Sequence, residues 1–391
     1  MFVAYAMQFG YGVFLPHMVE ELGWSHSQVS TPFSIYLLIY SVLSFPSGKL
    51  TDRFGPRIVI LGGALLLGVG YFALARIASL WQLWLFFGVI AGVGMSVVFV
   101  PCHATVVKWF EQKRAFALGV MGIGLNMANF CGPVVATTLI VWLGWRDALL
   151  SLAIGGPLLI VLAAIGLHRD PETRGLMPDG VRATLKMKRD VVWKDKTLKE
   201  AIRTEVFWVI LGVYAFSWII LFFPYVHLPQ HGLDLGYSQA MAASLLGCVG
   251  VGGMFGRLLL AWSASHLGTA RSLQLCLIAQ VVSLSIFSCV SDEFIPFMCS
   301  FLYGVGAGGA VTLFAAIVGD NFGRRYAGSL VGFLFAVGSG AAALGPYFSG
   351  LMRDYYGHYS YAFVWGALLN CLSLILSFRL HKLSKRRPST V

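Results

Sequence analysis

Arg257 is the residue best placed to do chemistry in this 391-residue chain, because its guanidinium sits alone in a long apolar run. Of 28 Lys and Arg it is the one well inside such a run; from Gly247 to Trp262 nothing else is charged. On insertion scales an Arg at the centre of a membrane helix costs about 2.5–3.5 kcal/mol, so it calls for a compensating role. At helical spacing Gly253 and Gly250 lie on its face, one and two turns earlier, and leave room beside the charge. The planar guanidinium fork fits a carboxylate with two parallel hydrogen bonds. Two readings stay open: Arg257 holds the carboxylate of a substrate, or it is a structural cation on helix-end carbonyls or in a cytoplasmic gate.

The other polar groups narrow the chemistry. All 17 Asp and Glu fall in loops or at the ends of apolar runs, with Glu20, Glu21, Asp234, Asp292 and Asp320 as flanks. No mid-membrane carboxylate is left to relay a proton, and a carboxylate substrate would itself be the counter-ion of Arg257. If a proton is carried, histidine is its carrier, with an ordinary pKa near 6.5. His227 ranks first, then His103, then His17, each against the plainer reading of a hydrogen-bonded histidine at a span end. Asn126 and Asn129 share one face of the fifth run with Gly122, and either ligand contact or helix–helix bonding explains them. Tyr214, Trp218, Phe222 and Tyr225 recur at helical spacing; Tyr225 and Trp218 are cavity candidates, set against an interfacial aromatic belt. The chain has no phosphate-cradling glycine loop, no metal-ligand spacing and no loop long enough for a catalytic domain. An enzyme, a cofactor, a metal site and ATP-driven pumping are therefore not expected.

Those residues need elements to hold them, and hydropathy supplies twelve. The chain is 58% apolar and only 12% charged, about half the charged fraction of a soluble protein. Apolar runs of membrane-spanning length fall near 1–20, 27–47, 57–77, 81–106, 115–143, 147–167, 204–227, 238–263, 270–291, 294–318, 326–350 and 358–380. They are too long and too unbroken for barrel strands. The net charge of +11 does not signal nucleic acid, because its distribution is that of a topology. With both termini cytoplasmic, Arg76, Arg146 and Arg353 are the only Lys or Arg outside. The seven scattered cysteines suggest no disulfide framework. No cleavable signal peptide is expected, and the first run opening at Met1 leaves either no cytoplasmic tail or a start upstream.

The runs are one unit written twice. Leu15-Pro16 through Leu22-Gly23-Trp24-Ser25 returns 213 residues later as Leu228-Pro229 through Leu235-Gly236-Tyr237-Ser238, and Gly132-Pro133 returns as Gly345-Pro346. Such duplication marks a transporter built from repeats around a central site. The domains expected are a six-helix half over 1–167, a basic cytoplasmic linker over 168–203, a second half over 204–380 and a basic tail over 381–391. Within the linker, Lys186 to Arg203 reads either as an amphipathic helix on anionic lipid or as disorder. The 45 glycines, clustered as Gly247/Gly250/Gly253 and Gly304/Gly306/Gly308, read first as close helix packing.

Two motifs carry a resemblance. Gly48, Leu50, Asp52, Arg53, Gly55 and Arg57 resemble the signature loop of the major facilitator superfamily, with Pro56 departing from it. Gly48 permits a tight helix crossing, Gly55 a sharp turn, and Asp52 can meet a helix N-terminus or a basic group. The counterpart 213 residues on (Ala261, Ser265, His266, Gly268) is degenerate. Pro101 through Trp109-Phe110 and Lys113-Arg114 to Gly119 is similar to the monocarboxylate porter branch, which includes oxalate/formate exchanger-like relatives. Tyr11–Phe14, Glu21–Ser25, His227–Pro229 and Gly256–Leu258 fit the same branch.

The resemblance implies an all-α membrane protein, twelve transmembrane helices in two pseudo-symmetric six-helix halves that rock about a midplane site. It implies Arg257 as carboxylate anchor and places His227 in the family motif. Animal porters carry Asp where this chain has Gly253, and lactate carriers often have Tyr where it has Phe99. Asp52, Arg53 and Arg114 are then expected to stabilise an outward-open state. The function expected is proton symport or exchange of a small organic anion, a monocarboxylate first, with the proton or a counter-anion as co-substrate. Phe99 and the small Ala307/Gly308 region keep a larger aromatic or zwitterionic solute as the competitor, with a non-transporting membrane sensor as the different class. One bundle is self-sufficient, so a monomer in the lipid bilayer is expected. The cell membrane is the expected location, the inner one if the short loops mark a bacterial chain.

Overall fold

In the computed structural model, residues 1–24, 26–180, 195–288, 294–342 and 344–385 are described, and among them the chain is helical with no strand. Twelve helices follow in order: α1 (Phe2–Leu22), α2 (His26–Phe54), α3 (Pro56–Leu74), α4 (Leu80–Trp109), α5 (Arg114–Leu143) and α6 (Trp145–Ile165). The second six are α7 (Glu205–Ile219 and Phe223–Asp234), α8 (Gln239–Leu267), α9 (Thr269–Phe287), α10 (Ile295–Phe322), α11 (Ala327–Ala342 and Leu344–Tyr356) and α12 (Ser360–Lys385). Eleven are long and apolar enough to cross a membrane; α1 falls short because Gln8, His17, Glu20 and Glu21 dilute it. In lipid every backbone N–H and C=O must be satisfied within the chain, and continuous helices do that.

The duplication reappears in the backbone. Gly23 and Gly236, Gly55 and Gly268, and Gly144 and Gly357 are pairs 213 apart, and all six have positive φ, between 67° and 86°. Each turns the chain from one helix into the next. Glu21 and Asp234, 213 apart, each bind an arginine at 2.9 Å, but the arginines are not repeat counterparts: Arg146 is on α6 and Arg353 on α11.

Close contacts repeat at the same offset. A Cβ on Gly132 would run into the Ala6 carbonyl, and one on Gly345 into the Ile219 carbonyl, the same crossing in each repeat. Both obstacles are backbone and cannot swing aside. Gly345→Ala is expected to cost about 1–3 kcal/mol through overpacking, read as a lower unfolding temperature in detergent. Gly340→Ala, with nothing within 4 Å of its Cβ, should leave stability unchanged or slightly raised.

Two compact units are found. One comprises Met1–Trp109, Ile123–Val192 and Arg325–Ala336; the other comprises Phe110–Gly122, Trp193–Arg324 and Val337–Val391. Each therefore takes one short helix segment from the other half of the sequence, the start of α11 in the first and the start of α5 in the second. These segments also correspond: Gly332 on α11 lies on the Ser44 carbonyl of α2, and Gly119 on α5 lies on the Arg257 carbonyl of α8. Both residue pairs differ by 213, so Arg257 occupies the repeat position of Ser44.

Two departures from regular helix were not expected from sequence. Over Trp84–Ala91 α4 is π-wound, and Phe87 there stacks on Tyr11 with ring centroids 3.5 Å apart. The run read as one span over 204–227 is broken between Ile219 and Phe223, where Pro224 opens the second piece without an N–H to give. At the break the Ile220 carbonyl takes the Phe223 N–H at 3.1 Å, and it and the Leu221 carbonyl accept from the Tyr303 hydroxyl of α10 at 3.0 and 3.3 Å.

In the linker the helix expected over Lys186 to Arg203 is not continuous: among its described residues only Leu198–Ile202 is helical, started by the Thr197–Glu200 capping box. Residues 186–194 of that expectation, with 181–185 of the linker and 386–391 of the tail, lie outside the described residues. Asp195 accepts from the Arg324 N–H at 2.8 Å and Lys196 donates to the Phe322 carbonyl at 2.9 Å, which ties the linker's end to the α10–α11 turn.

Candidate functional site

In the second unit, Arg257 is 5% exposed on α8. Its place is made by α5: the Gly119 backbone lies on the Arg257 carbonyl, and a Cβ on Gly122 would stand 2.6 Å from Nη1. Nη1 donates to the Thr312 hydroxyl on α10 at 3.4 Å, and that hydroxyl donates in turn to the Gly308 carbonyl at 3.0 Å. The α8–α10 crossing behind the site is backbone on backbone: Gly252 and Gly256 meet the carbonyls of Phe301 and Val305, and Gly304 and Gly308 meet those of Val249 and Gly253. Such small-residue packing lets helices approach where no hydrophobic effect drives them together. On the Arg257 face Gly250 has nothing within 4 Å of its Cβ position.

A Cβ on Gly122 meets the far end of a flexible side chain, so the guanidinium can give way while the helices stay. Gly122→Ala is expected to leave the unfolding temperature near wild type and to weaken binding of any ligand held by the guanidinium, about tenfold for each 1.4 kcal/mol lost.

His227 stands apart from Arg257 in its contacts. One ring nitrogen lies 3.0 Å from the Tyr359 hydroxyl and the other 2.9 Å from the Pro346 carbonyl. Because a carbonyl only accepts, Nε2 carries the hydrogen, and Nδ1 is left to accept from Tyr359.

In the first unit, Phe99 and His103 stack with centroids 3.8 Å apart, and Phe99 stacks on Phe335 of α11 at 4.2 Å. His103 Nδ1 lies 2.8 Å from the Phe99 carbonyl. Beside them, residues not singled out in the sequence form a buried polar aromatic cluster: Tyr40 packs on Phe335, the hydroxyls of Tyr5 and Tyr40 bond at 2.8 Å, and Tyr36 donates to Gln8 at 3.3 Å. Asn126 belongs to this unit; its Nδ2 is buried with no hydrogen-bond partner, while Asn129 is exposed. Of the expected binding residues, Phe99, His103 and Asn126 thus lie in one unit and Arg257, Tyr225 and His227 in the other.

Asp52 meets both partners its motif allowed. It accepts from the backbone N–H groups of Gly328 (3.1 Å) and Ser329 (2.7 Å) and from the Ser329 hydroxyl (2.7 Å) in the first turn of α11. There an anion satisfies helix-terminal donors and faces the positive end of the helix dipole. On its other side lies Lys108 at 3.2 Å, a lysine only 2% exposed that sequence reasoning passed over. The close approach depends on Gly48, whose Cβ would run into the Gly328 carbonyl. Arg53 covers the Phe54 ring, its carbonyl accepts from Arg169, Gly55 packs on the Arg169 side chain, and Arg57 is exposed. In the second unit Arg114 pairs with Asp320, which also accepts from Thr269 at 2.9 Å.

Two repeats of six helices, with a buried cation on one of them and a capped helix end on another, define a multi-pass membrane transporter. The family model described as the Major Facilitator Superfamily matches residues 1–346, and the chain belongs to that superfamily. It is 26% identical over 366 residues to monocarboxylate transporter 13 of Rattus norvegicus, covering 90% of this chain and 80% of that one. Over 389 residues it is 26% identical to monocarboxylate transporter 11 of Mus musculus, covering 96% and 82%. The likeness to monocarboxylate porters read from the Trp109–Gly119 run therefore extends along nearly the whole chain. The crystal structure of the E. coli fucose:proton symporter superposes with a TM-score of 0.73 over 97% of this chain and 96% of that one at 14% identity, a likeness of fold. Transporters of this superfamily carry small molecules across membranes, and this chain is one of them.

Proposed function

We propose that the protein is a secondary transporter of a small organic anion, a monocarboxylate of lactate or pyruvate type, moved by proton symport or anion exchange. The observation that carries this reading is the Arg257 guanidinium, buried on a membrane helix in room that Gly122 leaves for it. A guanidinium held there, bonded to the Thr312 hydroxyl through Nη1, matches a carboxylate through its planar fork. The names of the relatives, monocarboxylate transporters 11 and 13, support the same substrate class. In this reading the halves over 1–167 and 204–380 rock against each other. Asp52 on the α11 turn, with Arg53 nearby, and Arg114 on Asp320 hold the cytoplasmic side shut. His227, already bonded on both ring nitrogens, tunes polarity or passes a proton only after releasing one of those bonds.

A second reading, an aromatic or zwitterionic solute, is favoured by the Phe99–His103–Phe335 stack and the tyrosines beside it. Uptake of labelled lactate, pyruvate, formate and oxalate into proteoliposomes separates the two, run with and without an inward proton gradient. The first reading expects saturable entry of at least one acid; dependence on the gradient assigns symport, and dependence on internal anion assigns exchange. If none of the four enters through folded protein, the small-acid reading fails and aromatic acids are the next panel.

A further inference from the structure

The second repeat contains a polar seam that neither the transport reading nor the signature motifs use. Gln280 on α9 and Asn370 on α12 are both 0% exposed, and all four of their side-chain N and O atoms are buried without a hydrogen-bond partner. Contacts on either side fix their register. Toward one end the Gln274 amide donates to the Ser377 carbonyl at 3.3 Å; toward the other, a Cβ on Gly366 would stand 3.5 Å from Leu284 Cδ1. In antiparallel helices those pairs bracket Gln280 and Asn370, which stand level with each other. Gln280 also lies against Gly306 of α10, whose Cβ would come within 2.8 Å of its Cγ. The hydroxyls around them are committed elsewhere: Ser283 donates to the Cys299 carbonyl at 2.7 Å and Ser373 to the Val213 carbonyl at 2.9 Å.

We propose that Gln280 and Asn370 form an internal water site in the α9–α10–α12 seam. Each amide offers two N–H donors and an oxygen with two lone pairs. A direct amide–amide contact would satisfy one donor and one acceptor on each and strand the rest in a place where lipid supplies no partner. The occupant must both donate and accept: a cation would use only the two oxygens and an anion only the NH2 groups, each stranding the other half of the pair. Water meets those demands, typically making about three hydrogen bonds to buried polar groups that lack them. The first repeat is the internal contrast. The positions 213 residues earlier are Leu67, 1% exposed, and Pro157, which packs on Gly68. The same α3–α6 seam is therefore built dry.

The test is X-ray hydroxyl-radical labelling of the wild-type protein in proteoliposomes, where radicals born from held water mark the side chains beside it. Cys276, 0% exposed and one turn before Gln280, is the reporter; Met95, equally buried in the first unit, is the dry control. Labelling of Cys276 several-fold above Met95 is expected, falling to the Met95 level in the Gln280→Leu/Asn370→Leu double variant, which imitates the dry repeat. Cys276 as silent as Met95 in the wild-type protein would overturn the proposal, and so would unchanged Cys276 labelling in a folded double variant.

Discussion

Replacing Arg257 by alanine is expected to remove saturable uptake of the proposed carboxylate substrate while the protein still inserts and folds. The size of the loss follows from what the guanidinium does in the proposed site. Truncating one member of a buried, hydrogen-bonded charge pair costs about 2–5 kcal/mol, much of it from stranding the other charge. At about 1.4 kcal/mol per tenfold, the affinity for a carboxylate falls by roughly 30-fold to several thousand-fold. The fold should tolerate the change, because the side chain removed is itself costly in a bilayer, by about 2.5–3.5 kcal/mol at mid-helix. Its backbone contact with Gly119 does not depend on the side chain. Arg257→Lys keeps the charge and loses the planar fork, so it should transport weakly, between alanine and wild type. Uptake kinetics paired with unfolding temperature decide the matter. Loss of uptake together with loss of folding would make Arg257 the structural cation, and unimpaired uptake in the alanine variant would end its role as anchor.

What could be read from the residues and what could not divide along a physical line. All twelve elements were legible as long apolar runs, α1 the weakest of them, as was the repeat, whose glycines at 23, 55 and 144 return with positive φ. Averaging hydropathy over a span hides a one-turn fault. The break after Ile219 was invisible because its cost is met by the Tyr303 hydroxyl, 82 and 83 residues away from the carbonyls it binds. Arg257 was legible as a charge out of place, but Thr312 beside it is one more small residue in a glycine-rich helix, with nothing in the sequence to mark it. Gly122 and Asn126 share a helix face, yet they fall in different compact units, because the start of α5 packs with α8. Helical spacing gives direction around an axis; which neighbour lies there depends on the crossing. Lys108 was overlooked for the opposite reason. At the edge of a span it reads as a snorkelling topology charge, and only its 2% exposure and the carboxylate at 3.2 Å give it another role.

That pairing makes Asp52→Ala the most destabilising single change expected. The carboxylate serves three donors in the first turn of α11 and one ammonium on α4, all in the first unit. Alanine leaves the N–H groups of Gly328 and Ser329 without their acceptor and leaves Lys108 with Asp170 at 3.9 Å in place of a contact at 3.2 Å. Breaking a buried ion pair by removing one partner costs about 3–5 kcal/mol, because the remaining charge stays desolvated. That is a large share of the roughly 5–15 kcal/mol that holds a typical protein folded. Two further variants show where the loss resides. Asp52→Asn retains an acceptor for the helix end but not the charge, and should recover part of the stability. Asp52→Ala/Lys108→Met removes both charges and should recover more, since the buried ammonium that has lost its nearer carboxylate is the larger of the two penalties. The measurements are unfolding temperature in detergent and yield of folded protein. If the double variant is no more stable than Asp52→Ala, the Lys108 pair contributes little, and capping of α11 accounts for the loss. If Asp52→Ala unfolds with wild type, the contacts around Asp52 are not what secures this end of α2 to α11.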